Sequence, residues 1–261
     1  MILVHVFIML GSEFEDSFGY TVNYILGAFM AAPVFMVAMG VGFAYTRHSE
    51  PRKFIQRGVN ILIIGYLLNL VRSLPIDVFD IVQEGFAASA ADICIELFQG
   101  EILQFAGLSM ILFGLLKKAR LSAGVILILS GIASLTGSLL PAIMSDSILL
   151  NATAGLFIFI DFPEETFMCF PLLTWFIFPA FGFFFAEKLR EMKNRGRFYL
   201  LVLLPCLLVA VAGCYLEITR NVFMMESDSE YYHMHTHDAV ISLCYVLFCF
   251  SLCYFICRRL P

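Results

Sequence analysis

The chain has 261 residues, of which 61% are hydrophobic and only 14% charged, with a formal net charge of −5. That ratio leaves too little polar surface to clothe a soluble globule, so a lipid-facing exterior is expected. The acidic balance offers no basic footprint for nucleic acid, and the length suits one integral membrane domain over residues 1–261.

Twenty-eight Phe and twelve Met fit that reading, since such side chains fill irregular gaps between helices and face acyl chains without penalty. A bilayer core of about 30 Å takes roughly 20 apolar residues, fewer with flanking anchors. On that basis the first ten residues, MILVHVFIML, read as the outer half of a truncated span. Complete spans are expected near 21–46, 54–74, 101–116, 121–142, 168–186, 198–216 and 239–257. The fold class is therefore all-α, a polytopic transmembrane bundle of about eight spans. Segment 75–99 mixes Asp77, Asp80, Glu84, Asp92 and Glu96 with Ile, Val and Phe, which predicts a short amphipathic helix on the outer surface. Segment 147–160 is apolar but short, and is expected to be interfacial or re-entrant.

Orientation follows from the accumulation of Lys and Arg in short cytoplasmic loops. Fourteen of the sixteen basic residues fall on one side of this arrangement, the exceptions being Arg72 and Arg220. All acidic residues but Glu50, Glu187 and Glu191 lie on the other. Both termini are then expected in the cytoplasm. Cys206, Cys214, Cys244, Cys249, Cys253 and Cys257 lie within apolar runs and act as small hydrophobes.

Four groups of residues carry possible chemistry. His5 places an imidazole within the first apolar run, where it serves either as a general base at neutral pH or as a neutral hydrogen-bonding group between helices. Arg52, Lys53 and Arg57 stand at the cytoplasmic mouth of the 54–74 span, either to hold phosphates or simply to set topology. Glu101 and Gln104 stand one turn apart at a helix start, where they face a shared cavity or serve the helix dipole. The run HMHTHD supplies His233, His235, His237 and Asp238, but without a second ligand group at fixed spacing no metal is expected. No GxSxG, P-loop, GxGxxG or HExxH is present, so the familiar soluble-enzyme chemistries have no support.

Three segments, taken in order, resemble a family of multi-pass membrane acyltransferases. APVFMVAMGVGFAYTR followed by RKFIQRGVNILIIGYLLNLV resembles its second and third spans, GEILQFAGLSMILFGLLKK its ILxxxGLS helix, and CFPLLTWFIFPAFGFFFAEKL its FPLxPWxxxxxxG helix. The match is with the bacterial branch similar to the heparan-α-glucosaminide N-acetyltransferase catalytic domain, with the acyltransferase-3 group as a near relation. The resemblance implies acyl transfer, typically of acetyl from cytoplasmic acetyl-CoA, to a hydroxyl or amine of an extracytoplasmic glycan or lipid-linked acceptor. It implies His5 as the catalytic base and Arg52, Lys53 and Arg57 as the holders of the CoA phosphates. Glu101, Gln104 and Trp175 are then the expected substrate-binding residues. Two positions depart from the family pattern: Thr174 stands where Pro usually precedes the Trp, and Gln104 where the closest branch often has His. Two other classes stay open from residues alone. One is a transporter or channel whose acidic outer face gathers cations, the other a non-catalytic membrane protein of the same fold.

Overall fold

The computed structural model describes residues 29–47, 49–140, 145, 147–160, 170–220 and 232–259. His5 and the expected truncated first span lie outside them. The described segments are helical, as expected of a chain whose backbone polar groups must be satisfied without water.

The helices are α1 (Phe29–Tyr45), α2 (Pro51–Glu84), α3 (Phe86–Phe98), α4 (Ile102–Lys118), α5 (Ala123–Leu139) and α6 (Ile148–Gly155). They continue with a single turn α7 (Leu172–Trp175), then α8 (Ile177–Glu191), α9 (Arg195–Arg220) and α10 (Thr236–Arg259). Each complete span expected from hydropathy overlaps one of these helices or, at 168–186, the run α7–α8. Among the described residues four stretches are both long and apolar enough to cross a membrane: Pro51–Gln83, Leu172–Glu191, Arg195–Gly213 and Thr236–Arg258. Ala31–Tyr45 and Ala123–Leu139 are apolar but shorter. The expected count of about eight spans is thus not reached among the described residues.

The outer faces agree with lipid as solvent. Along α9, Leu200, Leu201, Leu204, Leu208 and Val211 recur at helical spacing and are all exposed, a stripe that water would penalise and acyl chains do not.

The reading of 75–99 as one separate outer helix is corrected. Pro75 sits inside α2 without ending it, and the helix runs on to Glu84. It stops where Gly85 takes φ +89°, a left-handed value that glycine adopts without Cβ strain, and α3 starts at the next residue. At 34 residues, α2 is about 51 Å long and overshoots a bilayer core by several turns. Segment 147–160 forms the eight-residue α6, roughly 12 Å and too short to span. Asn151 fixes its entry by donating from Nδ2 to the Ser145 carbonyl (2.7 Å) and accepting the Ser145 N–H at Oδ1 (3.0 Å).

The chain divides into two compact units. One holds residues 1–45, 178–223 and 237–261. In it α1 and α8 run antiparallel with touching backbones: a Cβ on Gly40 would lie 2.0 Å from the Pro179 carbonyl oxygen, and one on Gly182 2.1 Å from that of Val37. Helices α9 and α10 are likewise antiparallel, joined by Gly213 against Ile241 at one end and Tyr199 stacked on Tyr254 (4.6 Å) at the other. Phe185 lies among Phe198, Tyr199 and Phe250 in this unit's aromatic core.

The other unit holds residues 46–177 and 224–236. Its centre is the α2–α4 pair. With little hydrophobic drive between helices in lipid, close backbone approach through small residues supplies the packing. Gly58 meets the Gly107 carbonyl, Gly107 meets Leu62, and Gly114 meets the Pro51 carbonyl and Ile55. Glycines seven residues apart on each helix thus line one antiparallel seam.

Candidate functional site

The seam brings opposite helix ends together. Gly114, near the end of α4, packs on Pro51 at the start of α2, so Arg52 and Lys53 share one end of the pair with Lys117 and Lys118. Lys117 is held there by aromatic faces: its Nζ lies 5.3 Å from the Phe54 ring centroid and 5.8 Å from that of Phe113. Arg52 and Arg57 are exposed, and Arg57 donates to Thr46 Oγ1 at 3.4 Å. The carboxylate seen at this end is Glu50, 3.4 Å from Lys53. The result is a concentration of positive charge suited to a polyanion with several phosphates.

The other end of the seam is polar. Glu101 caps α4, and the cap is reciprocal: Glu101 accepts from the Gln104 backbone N–H, while the Glu101 N–H donates to Gln104 Oε1 at 3.1 Å. Arg72 pairs with the Glu101 carboxylate and donates to Gln99 Oε1 at 3.1 Å. Asn69 donates to the carbonyls of Leu97 and Gln99, tying the end of α3 to α2. Glu101 therefore combines the helix-dipole role with an ion pair.

Gln104 is nearly inaccessible, at 1% exposure, and its amide lies against Gly65, where a Cβ would come within 3.2 Å of Nε2. Its Oε1 is used by the cap, while its Nε2 has no hydrogen-bond partner among the described residues. A buried amide donor without an acceptor is costly in apolar surroundings, and such orphans mark either strain or a place where a ligand atom completes the set. Along α2, Gly65 is thirteen residues beyond Arg52, roughly 20 Å of helix. The cationic end and the orphan amide thus belong to one helix pair.

Trp175 is fully buried and donates from Nε1 to the Tyr232 carbonyl at 3.0 Å, with Phe170 edge-on at 4.9 Å. Its indole holds the 232–236 segment, a positioning task that the motif resemblance alone does not reveal. Thr174 packs against Gly137 of α5, where a Cβ would meet its methyl at 2.8 Å. His233 stacks on Phe159 at 4.5 Å and lies 5.0 Å from His235, while His237 Nε2 is 3.1 Å from Asp238 Oδ1. Among the described residues no three His, Cys, Asp or Glu side chains converge on a metal position.

Two contributors escape sequence reasoning. Arg72 reads there only as an exception to the charge rule, although a cation isolated on the acidic side signals a specific carboxylate partner. Asn69 sits in an apolar run whose single amide is the only hint of a tie to the next helix.

A family model described as heparan-α-glucosaminide N-acetyltransferase, catalytic, matches residues 1–213. No curated protein and no solved structure matches the chain. The matched stretch covers most of the chain and includes every helix of the seam, the cationic end and the capped polar end. The chain belongs to the heparan-α-glucosaminide N-acetyltransferase catalytic family and is an integral membrane acyltransferase.

Proposed function

We propose that this protein transfers an acetyl group from cytoplasmic acetyl-CoA to a hydroxyl or amine of a glycan or lipid-linked acceptor on the far side of a bacterial-type plasma membrane. The observation that carries the reading is the cationic end of the α2–α4 pair. Among the described residues it offers Arg52, Lys53 and Arg57 together with Lys117 and Lys118 against a single carboxylate, Glu50. The phosphates of CoA fit such a surface, with exposed guanidinium groups able to fork around phosphate oxygens.

The acetyl carbonyl gains negative charge as the acceptor attacks it. Gln104 Nε2, buried and without an acceptor among the described residues, serves as the donor that stabilises that charge. The reciprocal cap fixes the Gln104 side chain through Oε1, so the donor is pre-oriented. His5, assigned by family resemblance, takes the proton of the acceptor hydroxyl or amine as the new C–O or C–N bond forms and the thioester C–S bond breaks. Trp175 shapes the acceptor side through its hold on Tyr232. Membrane lipids surround the exposed apolar stripes, and both termini lie in the cytoplasm under the charge rule.

The test is acetyl transfer by membrane vesicles carrying the protein, with labelled acetyl-CoA supplied on the cytoplasmic face. Label should appear in an acceptor on the opposite face, and His5→Ala should abolish it with expression intact. Retained turnover in His5→Ala would remove His5 from the mechanism, and no label in vesicles of a well-folded protein would reject the reaction.

A further inference from the structure

In the unit built from α1, α8, α9 and α10 lies a second cationic cluster that acetyl transfer does not use. Lys188 and Arg190 end α8 and are compensated by carboxylates, Lys188 by Glu191 at 2.8 Å and Arg190 by Glu187 at 3.0 Å. Lys193, Arg195, Arg197 and Arg258 are exposed and have no carboxylate within ion-pair distance among the described residues. The general tendency of cytoplasmic loops to be basic accounts for cations in the α8–α9 turn. It does not account for their convergence with the far end of α10.

That convergence is set by packing. At Gly196 the far end of α10 comes into contact with α9: a Cβ there would lie 3.3 Å from Arg258 Nη1 and 3.5 Å from the Tyr254 hydroxyl. Arg195 and Arg197 occupy the first turn of α9 with no acidic residue beside them, so two guanidinium groups are added to the positive end of a helix dipole. The Arg197 N–H is capped by Asn194 Oδ1 at 3.0 Å. Arg258 thus adds a third guanidinium beside the first turn of α9, where Arg195 Nε donates to the Leu189 carbonyl at 3.2 Å, and with no carboxylate paired among the described residues an anion is the charge partner that fits.

The surroundings choose between a soluble anion and a lipid. Arg195 begins one stretch apolar enough to cross a membrane, and Arg258 ends another, so the cluster stands at the border of both. Beneath it Tyr199 and Tyr254 stack at 4.6 Å, rings of the amphipathic kind that collect at headgroup depth. Leu200, Leu201, Leu204 and Leu208 follow Arg197 by three, four, seven and eleven residues and are all more than 60% exposed. Those spacings put them on the Arg197 face of α9. The face is therefore cationic at its head and apolar along its length, the profile of a phospholipid lying against the helix.

We propose that Arg195, Arg197 and Arg258 bind the phosphate of an anionic phospholipid whose acyl chains lie along the Leu200–Leu208 face of α9. The proposal stands apart from the acetyl-CoA reading, because it uses no residue of the α2–α4 pair. The full chain is to be reconstituted in nanodiscs of phosphatidylcholine, alone or with a fifth of the lipid replaced by phosphatidylglycerol. Phosphatidylglycerol should raise the unfolding midpoint of the wild type by several degrees and that of the Arg195→Gln, Arg197→Gln, Arg258→Gln variant by less than a third as much. The Lys188→Gln, Arg190→Gln variant should keep the full rise. Inorganic phosphate in phosphatidylcholine discs should give no rise; a rise equal to that with phosphatidylglycerol would assign the site to free phosphate and overturn the proposal. An equal lipid response in the triple variant would overturn it as well. Should that variant fail to fold, native mass spectrometry of Arg258→Gln decides: phosphatidylglycerol retention is expected to fall at least threefold, and unchanged retention rejects the site.

Discussion

Replacing Gly58 by Ala tests whether the α2–α4 seam is what assembles the cationic end. The added Cβ would lie 2.6 Å from the Gly107 carbonyl oxygen and 2.7 Å from Ile111 Cγ1. The first contact is 0.8 Å short of the 3.4 Å at which ordinary van der Waals contact begins, and it is with backbone, which cannot rotate away. Relief requires the two helices to part locally. Overpacking of this kind costs about 1–3 kcal/mol, and a rigid neighbour favours the upper half of that range. The opposing gain from Ala in a helix interior is up to ~1 kcal/mol. Net destabilisation of roughly 1–2 kcal/mol is therefore expected. Gly131→Ala in α5 is the control, since a Cβ there would meet nothing within 4 Å, and it should be neutral or slightly stabilising. The assay is thermal unfolding of the detergent-purified protein, paired with acetyl-CoA affinity, which should weaken as Arg52 and Lys53 move from Lys117. A Gly58→Ala protein as stable as Gly131→Ala, with unchanged affinity, would refute the seam argument.

Three further outcomes follow from the same geometry. Glu101→Ala removes a cap of about 1 kcal/mol in addition to a half-exposed ion pair worth roughly 0.5 kcal/mol, whereas Arg72→Ala removes the pair and an exposed hydrogen bond to Gln99 but leaves the cap. The first should be the more destabilising in thermal unfolding, and equal losses would discount the cap. Trp175→Phe keeps an aromatic ring but leaves the Tyr232 carbonyl without its donor, at a cost of about 1–3 kcal/mol seen as a lower unfolding midpoint; an unchanged midpoint would contradict the positioning role. Gln104→Leu removes an orphan donor along with one arm of the cap, so stability should change by no more than about 1 kcal/mol while acetyl transfer falls at least tenfold. Full turnover in that variant would remove Gln104 from the chemistry.

Hydropathy is a one-dimensional property, which is why the helical segments around 54–74, 101–116, 121–142, 198–216 and 239–257 were legible from residue order alone. The length of α2 was not, because Pro75 is a stop signal whose effect depends on whether neighbours let the helix continue, and the turn at Gly85 depends on a backbone angle. The candidate site was legible in kind but not in arrangement. Arg52, Lys53 and Arg57 announce a cationic end through their charge, yet the addition of Lys117 depends on glycine contacts between residues about fifty positions apart. Glu101 and Gln104 showed their spacing, while the division of labour within Gln104, with Oε1 used and Nε2 spare, is a matter of atomic positions. Trp175 was visible as a motif residue, but its partner lies 57 residues away. His5 is supported by resemblance and lies outside the described residues.

Isothermal titration of acetyl-CoA into the purified full chain tests the central claim most directly. The wild type should bind, with affinity falling as salt is raised, because exposed cations hold the phosphates. Arg52→Gln combined with Arg57→Gln removes two such contacts at about 0.5–1 kcal/mol each, so affinity should drop roughly tenfold. The Arg195→Gln, Arg197→Gln pair should leave it unchanged. Equal affinity in the wild type and the Arg52, Arg57 variant would contradict the account.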